Sequence, residues 1–299
     1  MASEAGSWEL TEGEEIAPGL HALAKLGGGH RYEAYLGFDE RLLTTVVVKI
    51  VRPGRVEDDA ALAGLRAEAA ALAALQHPAL LRGFGLVDEG PRPRLVLEHI
   101  EGPRLSTLVR RHGPLPAEQV VPLAMEICAA LHFMHGRGWV HLDVKPANII
   151  MAGPPRLIDL SVACSVEEAA ALRSSVGTDS YMAPEQCLPG ERGTVGPPAD
   201  VFGIGVTLHR ALSGERPFAK GNPEASDPVE RWPQLAGTAA PLEGRIQTGL
   251  GSEAATAIEA CLHPDPAERP PPAALHGALE RVLAKLSRPK LGKLKPRWR

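Results

Sequence analysis

The chain has 299 residues, of which 44% are hydrophobic and 4% aromatic, with a formal net charge of -4. That length allows one large domain or two lobes around a buried core, and the acidic balance argues against a nucleic-acid partner held by a general basic surface. No run of about 18 apolar residues occurs, so no segment is expected to span a bilayer, and the acidic start lacks the apolar core of a secretory signal. Cys128, Cys164, Cys187 and Cys261 stand far apart with no Cys-x-x-Cys pair, as expected of buried thiols in a reducing cytosol rather than a disulfide frame or zinc site. A soluble, cytoplasmic protein is expected.

Residues 1–15 are polar and expected to be loose, and residues 16–100 carry mainly strand signals. β-Branched residues fill 42–51 and a short apolar run covers 95–100. Between them 58–76, built from Ala, Leu, Glu and Arg and closed by His77-Pro78, reads as a helix. From Leu105 onward helices prevail. Val120, Leu123, Ala124, Ile127, Leu131 and Met134 recur at helical spacing over 116–135, and further helical segments cover 201–212, 252–261 and 272–286. Residues 214–245 are rich in Pro and Gly and read as a long surface connection. The expected class is α+β: a small antiparallel sheet with one main helix, joined at 98–103 to a larger, mainly helical part.

Several residues along this path bear chemistry. Leu26-Gly27-Gly28-Gly29, ahead of Ala34-Tyr35, leaves backbone N–H groups open to phosphate oxygens, although a flexible turn also accounts for the glycines. Lys49 lies inside the apolar strand Val46-Val47-Val48-Lys49-Ile50 and needs a partner if it is buried; Glu68, on the following helix, could supply it. His141-Leu142-Asp143-Val144-Lys145-Pro146-Ala147-Asn148 and then Ile158-Asp159-Leu160 place carboxylates, an amide and a lysine between short apolar runs. Asp and Asn at strand ends suit hard oxygen ligation of Mg²⁺ bridging phosphate oxygens. Each of these residues singly has a loop or capping explanation, but the ordered set does not.

In order and spacing the set resembles the protein-kinase signature, in its bacterial Hanks-type (eukaryotic-like) serine/threonine form. The resemblance runs over 26–270. It includes Gly177-Thr178-Asp179-Ser180-Tyr181-Met182-Ala183-Pro184-Glu185, similar to the end of an activation segment, Asp200, similar to the aspartate that anchors a catalytic loop, and Arg269, similar to the arginine that pairs with Glu185. It implies a bilobal kinase fold with a flexible segment over 1–15, an N-lobe over 16–101, a C-lobe over 102–285 and a basic tail over 286–299. It also implies transfer of the γ-phosphoryl group of ATP to Ser or Thr hydroxyls of a protein substrate, with Mg²⁺ (or Mn²⁺) as cofactor. Leu26, Gly27, Gly28 and Gly29 would cover the phosphates, Lys49 would hold them and Glu68 would orient Lys49. Asn148 and Asp159 would bind metal, Asp143 would take the proton of the attacking hydroxyl and Lys145 would steady the γ-phosphate. Adenine would lie between Ala34 and Val47 above and Ile150 below, bonded by backbone near Glu98 and Ile100, with Leu97 guarding the back. Thr178 would touch Asp143 and Lys145.

The pattern is broken in places. Leu142 stands where the family usually has an arginine that receives an activation-segment phosphate, so activity is expected not to depend on such a phosphate. Ser161 replaces a glycine, which is expected to hinder flipping of Asp159, and Leu160 replaces a phenylalanine. Tyr32 replaces the third loop glycine, with Arg31 at the tip; this bulk is expected to slow nucleotide exchange or disturb loop closure. Val47 narrows the adenine slot. These departures suit a pseudokinase scaffold, and the His-x-Asp pattern is shared with small-molecule phosphotransferases; the intact polar set and Ala183-Pro184-Glu185 speak for a protein kinase. His132 and His135, one turn apart, are expected to be structural rather than a metal site. Ser174, Ser175, Thr178 and Ser180 are candidate autophosphorylation sites. From Arg281 to Arg299 there are eight Lys or Arg and no acid, a frayed tail or else a segment for weak contact with an acidic partner or anionic membrane surface.

Overall fold

The computed structural model describes residues 6–242 and 250–286. The chain opens with a six-stranded antiparallel sheet in the order β1-β2-β3-β4-β6-β5. Its strands are β1 (Glu15–Ala17), β2 (Leu20–Gly28), β3 (Tyr32–Asp39), β4 (Thr44–Val51), β5 (Gly83–Val87) and β6 (Arg94–Glu98). β4 shows why this half makes a sheet: its β-branched residues alternate, with Val46, Val48 and Ile50 fully buried on one face and Val47 and Lys49 half-buried on the other. Helix α1 (Asp59–Ala74) crosses between β4 and β5. Asp58 caps it by accepting from the N–H groups of Ala60 and Ala61, and Glu68, Leu65 and Leu72 form its buried face.

Residues 6–14, expected to be loose, lie against the outer face of the sheet. The Trp8 indole N–H donates to the Val51 carbonyl at 2.8 Å, and Leu10 packs with Ile16, Tyr35, Val46, Val48 and Ile50. These anchors left no sign in the sequence because apolar Trp8 and Leu10 stand singly among polar and acidic residues, and one or two side chains give no periodicity to read.

The second half is mainly helical, with α2 (Leu105–His112), α3 (Ala117–Gly136), α4 (Val166–Ala170), α5 (Pro184–Cys187), α6 (Pro197–Ser213), α7 (Pro228–Arg231), α8 (Ser252–Ala260) and α9 (Pro272–Leu283). The short strands β7 (Trp139–Val140), β8 (Ile149–Ile150), β9 (Arg156–Leu157) and β10 (Cys164–Ser165) form two small antiparallel ladders, β8 with β9 and β7 with β10. Inside the stretch read as a Pro- and Gly-rich connection, α7 and a 3₁₀ turn, Pro233–Leu235, dock against the loop that carries Asp179. One apolar cluster runs through both lobes, from Leu72 and Leu97 through Leu157 and Leu160 to Ile127, Leu208 and Leu275. The Leu81 N–H donates to the Leu157 carbonyl and the Leu157 N–H to the Ala79 carbonyl, so the segment after α1 is stitched to the second lobe. The four thiols are free, and burial pushes Cys164 up to about 11 and Cys261 to about 12. No helix among the described residues is long and apolar enough to cross a membrane. The basic tail beyond Leu286 lies outside the described residues.

Candidate active site

Between the lobes lies a cleft of about 540 Å³. Leu26, Gly27, Gly28 and Gly29 line it from the β2–β3 hairpin, and Ala34, Val47 and Lys49 from the strands behind. Leu97, Glu98 and Ile100 line it where the chain leaves β6 for the second lobe, and Ile150 and Asp159 line the opposite side. Lys49 and Glu68 meet at its inner end, Nζ to Oε2 2.5 Å, and the Lys49 ammonium lies 4.0 Å from an Asp159 oxygen. Burial works against that ammonium, but the Glu68 and Asp159 carboxylates hold its pKa above the usual lysine value.

Asp143, Lys145 and Asn148 form a second group beside the cleft. Lys145 Nζ donates to Asp143 Oδ2 and to Thr178 Oγ1, both at 2.6 Å, and the Thr178 hydroxyl donates to Asp143 Oδ1 at 2.7 Å. Asn148 Nδ2 donates to Asp143 Oδ2 and to the Asp143 carbonyl, each at 3.0 Å. The loop that carries them is set from beneath. Asp200, in the first turn of α6, accepts from the N–H groups of His141 (2.8 Å) and Leu142 (2.7 Å) and from His135 Nε2 (2.9 Å). These bonds hold Leu142 at φ 61°, a backbone state that costs a leucine about 1–3 kcal/mol unless its surroundings fix it. Gly177 follows from the same crowding: at φ +125°, a Cβ there would stand 2.8 Å from the Leu142 carbonyl oxygen.

The family model described as protein kinase domain matches residues 20–278. The chain belongs to the protein kinase family. Among curated relatives, the serine/threonine-protein kinase PknB of Mycolicibacterium smegmatis is 35% identical over 213 residues, 67% of this chain and 33% of its own length. PknB of Mycobacterium leprae is 33% identical over 208 residues, 66% of this chain and 33% of its own. PknL of Mycobacterium tuberculosis is 33% identical over 219 residues, 72% of this chain and 54% of its own. This kinase thus spans about a third of the length of the PknB relatives and about half of PknL. The bilobal fold is that of the family.

Protein kinases use ATP and a divalent metal ion. The donor set in this kinase fits such an ion. Among the described residues no group of three or more His, Cys, Asp or Glu gathers that could hold a metal alone; Asp159 and Asn148 would hold a cation together with phosphate oxygens, the sparse protein ligation that Mg²⁺ favours. Burial pushes the Asp159 carboxyl up, but Lys49 and the hydrogen bonds of Ser161 bring it below the ordinary aspartate value, so it stays an anion. Ser161 keeps a negative φ and donates its N–H to Asp159 Oδ1 at 3.4 Å, so in this conformation its Cβ carries no strain.

Some residues of the site have no counterpart in the motifs. Arg104 lines the cleft and donates to the Ala147 carbonyl at 2.6 Å. Gln186 Nε2 donates to the carbonyls of Leu142 and Val176, both at 2.9 Å, and Gln234 Nε2 donates to those of Asp179 and Met182. Together the two glutamines tie down the C-terminal end of the activation segment, at Val176, Asp179 and Met182. Gln186 stands directly after Ala183-Pro184-Glu185, and that adjacency is the one signal that could have drawn attention to it.

Proposed function

We propose that this kinase transfers the γ-phosphoryl group of ATP to serine and threonine hydroxyls of protein substrates, in the cytoplasm, without needing a phosphate on its activation segment. The observation that carries this reading is the closed set of hydrogen bonds among Asp143, Lys145, Asn148 and Thr178. It holds Asp143 Oδ1 where a hydroxyl can take the place of Thr178 Oγ1 and give up its proton, and it keeps Lys145 on the neighbouring Oδ2 and within reach of that hydroxyl position, where a cation meets the charge of the transferred group. The names of the relatives, serine/threonine-protein kinases, agree with that acceptor.

In this reading the nucleotide lies between the lobe of residues 16–101 and the lobe of residues 102–285, and the second lobe also receives the acceptor. Gly27, Gly28 and Gly29 cover the phosphates with backbone N–H groups, and Glu68 aims Lys49 at the α- and β-phosphates. Ala34, Val47 and Ile150 enclose adenine, the backbone at Glu98 and Ile100 bonds its edge, and Leu97 closes the back. Asp159 and the Asn148 side-chain oxygen Oδ1, whose Nδ2 is turned to Asp143, would hold Mg²⁺ or Mn²⁺. A metal ion held there would supply positive charge against the charge that develops on the transferred group.

The test is incubation of the purified protein with ATP, Mg²⁺ and a mixture of protein substrates, with product phosphoamino acids identified. Phosphoserine or phosphothreonine is expected from the wild type, and Asp143→Asn should lower the rate about 10²- to 10⁴-fold. An Asp143→Asn rate equal to wild type would remove Asp143 from its role; a product that is only a phosphorylated small molecule would overturn the substrate class.

A further inference from the structure

Tyr32 occupies the position where the loop pattern calls for a third glycine, and its bulk was expected to burden the nucleotide. In the structure the ring lines the cleft beside Lys49, and its hydroxyl end points to α1. In the β3–β4 ladder Tyr32 pairs with Val51 and Ala34 pairs with Lys49. Tyr32 and Lys49 are therefore diagonal neighbours on one face, within reach of a long side chain. The Lys49 ammonium lies 4.7 Å from the centre of the Tyr32 ring, a cation–π distance. The ring then continues past Lys49 to α1, where the Tyr32 hydroxyl donates to the Ala61 carbonyl at 2.7 Å.

The receiving surface is shaped for it. Gly64 stands one helical turn before Glu68, on the same side of α1. A Cβ at Gly64 would lie 2.6 Å from the Tyr32 hydroxyl oxygen and 3.8 Å from the ring carbon that bears it. Every residue but glycine would collide with the hydroxyl, while the ring itself would fit. A glycine inside a helix costs about 1 kcal/mol relative to alanine, and the hydroxyl is what occupies the space it leaves. Burial raises the Tyr32 pKa above the ordinary tyrosine value, so the group remains a donor at neutral pH.

We infer that Tyr32 is a positioning residue: it ties the phosphate-loop hairpin to α1 through the Gly64 notch, and so holds Glu68 against Lys49 before any nucleotide arrives. The inference rests on the reading of Lys49 and Glu68 as the phosphate-holding pair. In it, α1 is kept in place by a strut within the chain, and the hairpin and the helix move together rather than separately. The ring also shields one side of the ammonium, leaving Glu68, Asp159 and the phosphates as its remaining partners.

A double-mutant cycle of Tyr32→Phe and Gly64→Ala tests it, read out as kcat/KM for ATP and as melting temperature. Tyr32→Phe removes one hydrogen bond and should lower kcat/KM about five-fold. Gly64→Ala should lower it further, by about ten-fold, because the new methyl evicts the hydroxyl and shifts the ring off Lys49. In the Tyr32→Phe background the same alanine meets only ring carbon, so the double variant should return to the Tyr32→Phe rate. Melting temperature supplies a reading free of catalysis: Gly64→Ala should lower it in the tyrosine background and raise it in the phenylalanine background, where helix propensity acts alone.

A double variant whose loss is the product of the single losses overturns the proposal, as does a Gly64→Ala rate equal to wild type. The sign change in melting temperature without any change in rate would leave a structural contact only, and would equally overturn the positioning role. Lys49→Ala, assayed alongside, separates the two levels. If it keeps full activity the reading of the ATP site fails, whereas its expected loss, combined with additive Tyr32 and Gly64 effects, condemns the strut alone.

Discussion

Leu142 has its side chain among Val140, Ala169, Tyr181, Ala183 and Phe202, while its N–H goes to Asp200 and its carbonyl receives Gln186. Apolar packing and the Gln186 bridge from the Leu142 carbonyl to the Val176 carbonyl thus hold the activation segment to the catalytic loop where an arginine would call for a phosphate. Replacing Ser174, Ser175 and Ser180 together with alanine is therefore expected to leave kcat within about two-fold, since surface changes of this kind stay within about 0.5 kcal/mol. A steady-state assay on a peptide substrate checks it, and a ten-fold fall would mean that the segment needs modification after all. At this scale the polar site residues were legible because their chemistry restricts them to a few residue types in a fixed order: Lys49, Glu68, Asp143, Lys145, Asn148 and Asp159. Gln186, Gln234 and Arg104 were not, because they bond to backbone carbonyls, and a carbonyl is offered by every residue in the chain. The direction of Tyr32 was hidden for a related reason. Its partner surface is the missing side chain of Gly64, and an absent Cβ gives no sign of what fills its place.

The two helices that carry the site differ in kind. α1 buries one side, whereas α6 is buried along nearly its whole length, from Ala199 to Leu212. In α6 a Cβ on Gly203 would meet the Val144 carbonyl at 3.0 Å, which lets the catalytic loop lie directly on the helix. Close by, Arg269 forks onto Glu185 with contacts of 2.6 and 2.9 Å, both side chains fully buried. Removing one partner leaves a charge with no water to receive it. Arg269→Met is expected to cost about 3–5 kcal/mol in urea unfolding, and pairing it with Glu185→Gln should restore much of the loss. Additive losses in the pair would show that Arg269 acts through its bonds to the carbonyls of His263, Pro264 and Pro198 instead. The periodic elements at this scale could be read from the sequence within a few residues: 58–76 became Asp59–Ala74, 116–135 became Ala117–Gly136, and 201–212 grew to Pro197–Ser213. What escaped was α7 and the turn after it, too short for a periodic pattern and fixed instead by Trp232 and Gln234 reaching Asp179.

For the molecule as a whole, carboxylates buried at the joints set the response to acid. Burial alone would push Asp200 up, but hydrogen bonds from His135 and the His141 N–H hold it below the usual aspartate value. Burial opposes Glu33 in the same way, and Lys25, the Trp8 N–H and Ser7 bring it below the usual glutamate value. Each binds its proton more weakly when folded than when unfolded. Its stabilisation is therefore complete above the unfolded value of about 4 and is lost as the pH falls through the lower folded value. The urea midpoint should hold steady between pH 7 and about 5 and fall below about pH 4. A midpoint that rises on acidification would contradict the assignment. Both losses act at seams, Asp200 beneath the catalytic loop and Glu33 under the N-terminal segment, so acid should loosen the two lobes at once.

The notch at Gly64 has a consequence for descent. A methyl at position 64 would stand 2.6 Å from the tyrosine hydroxyl at position 32, so a change at either position is felt at the other. A lineage that gains a side chain at 64 is relieved by shortening the residue at 32, and a lineage that gains tyrosine at 32 is favoured by glycine at 64. The pair forms a two-letter signature by which kinases built on the same strut would be recognised in sequence.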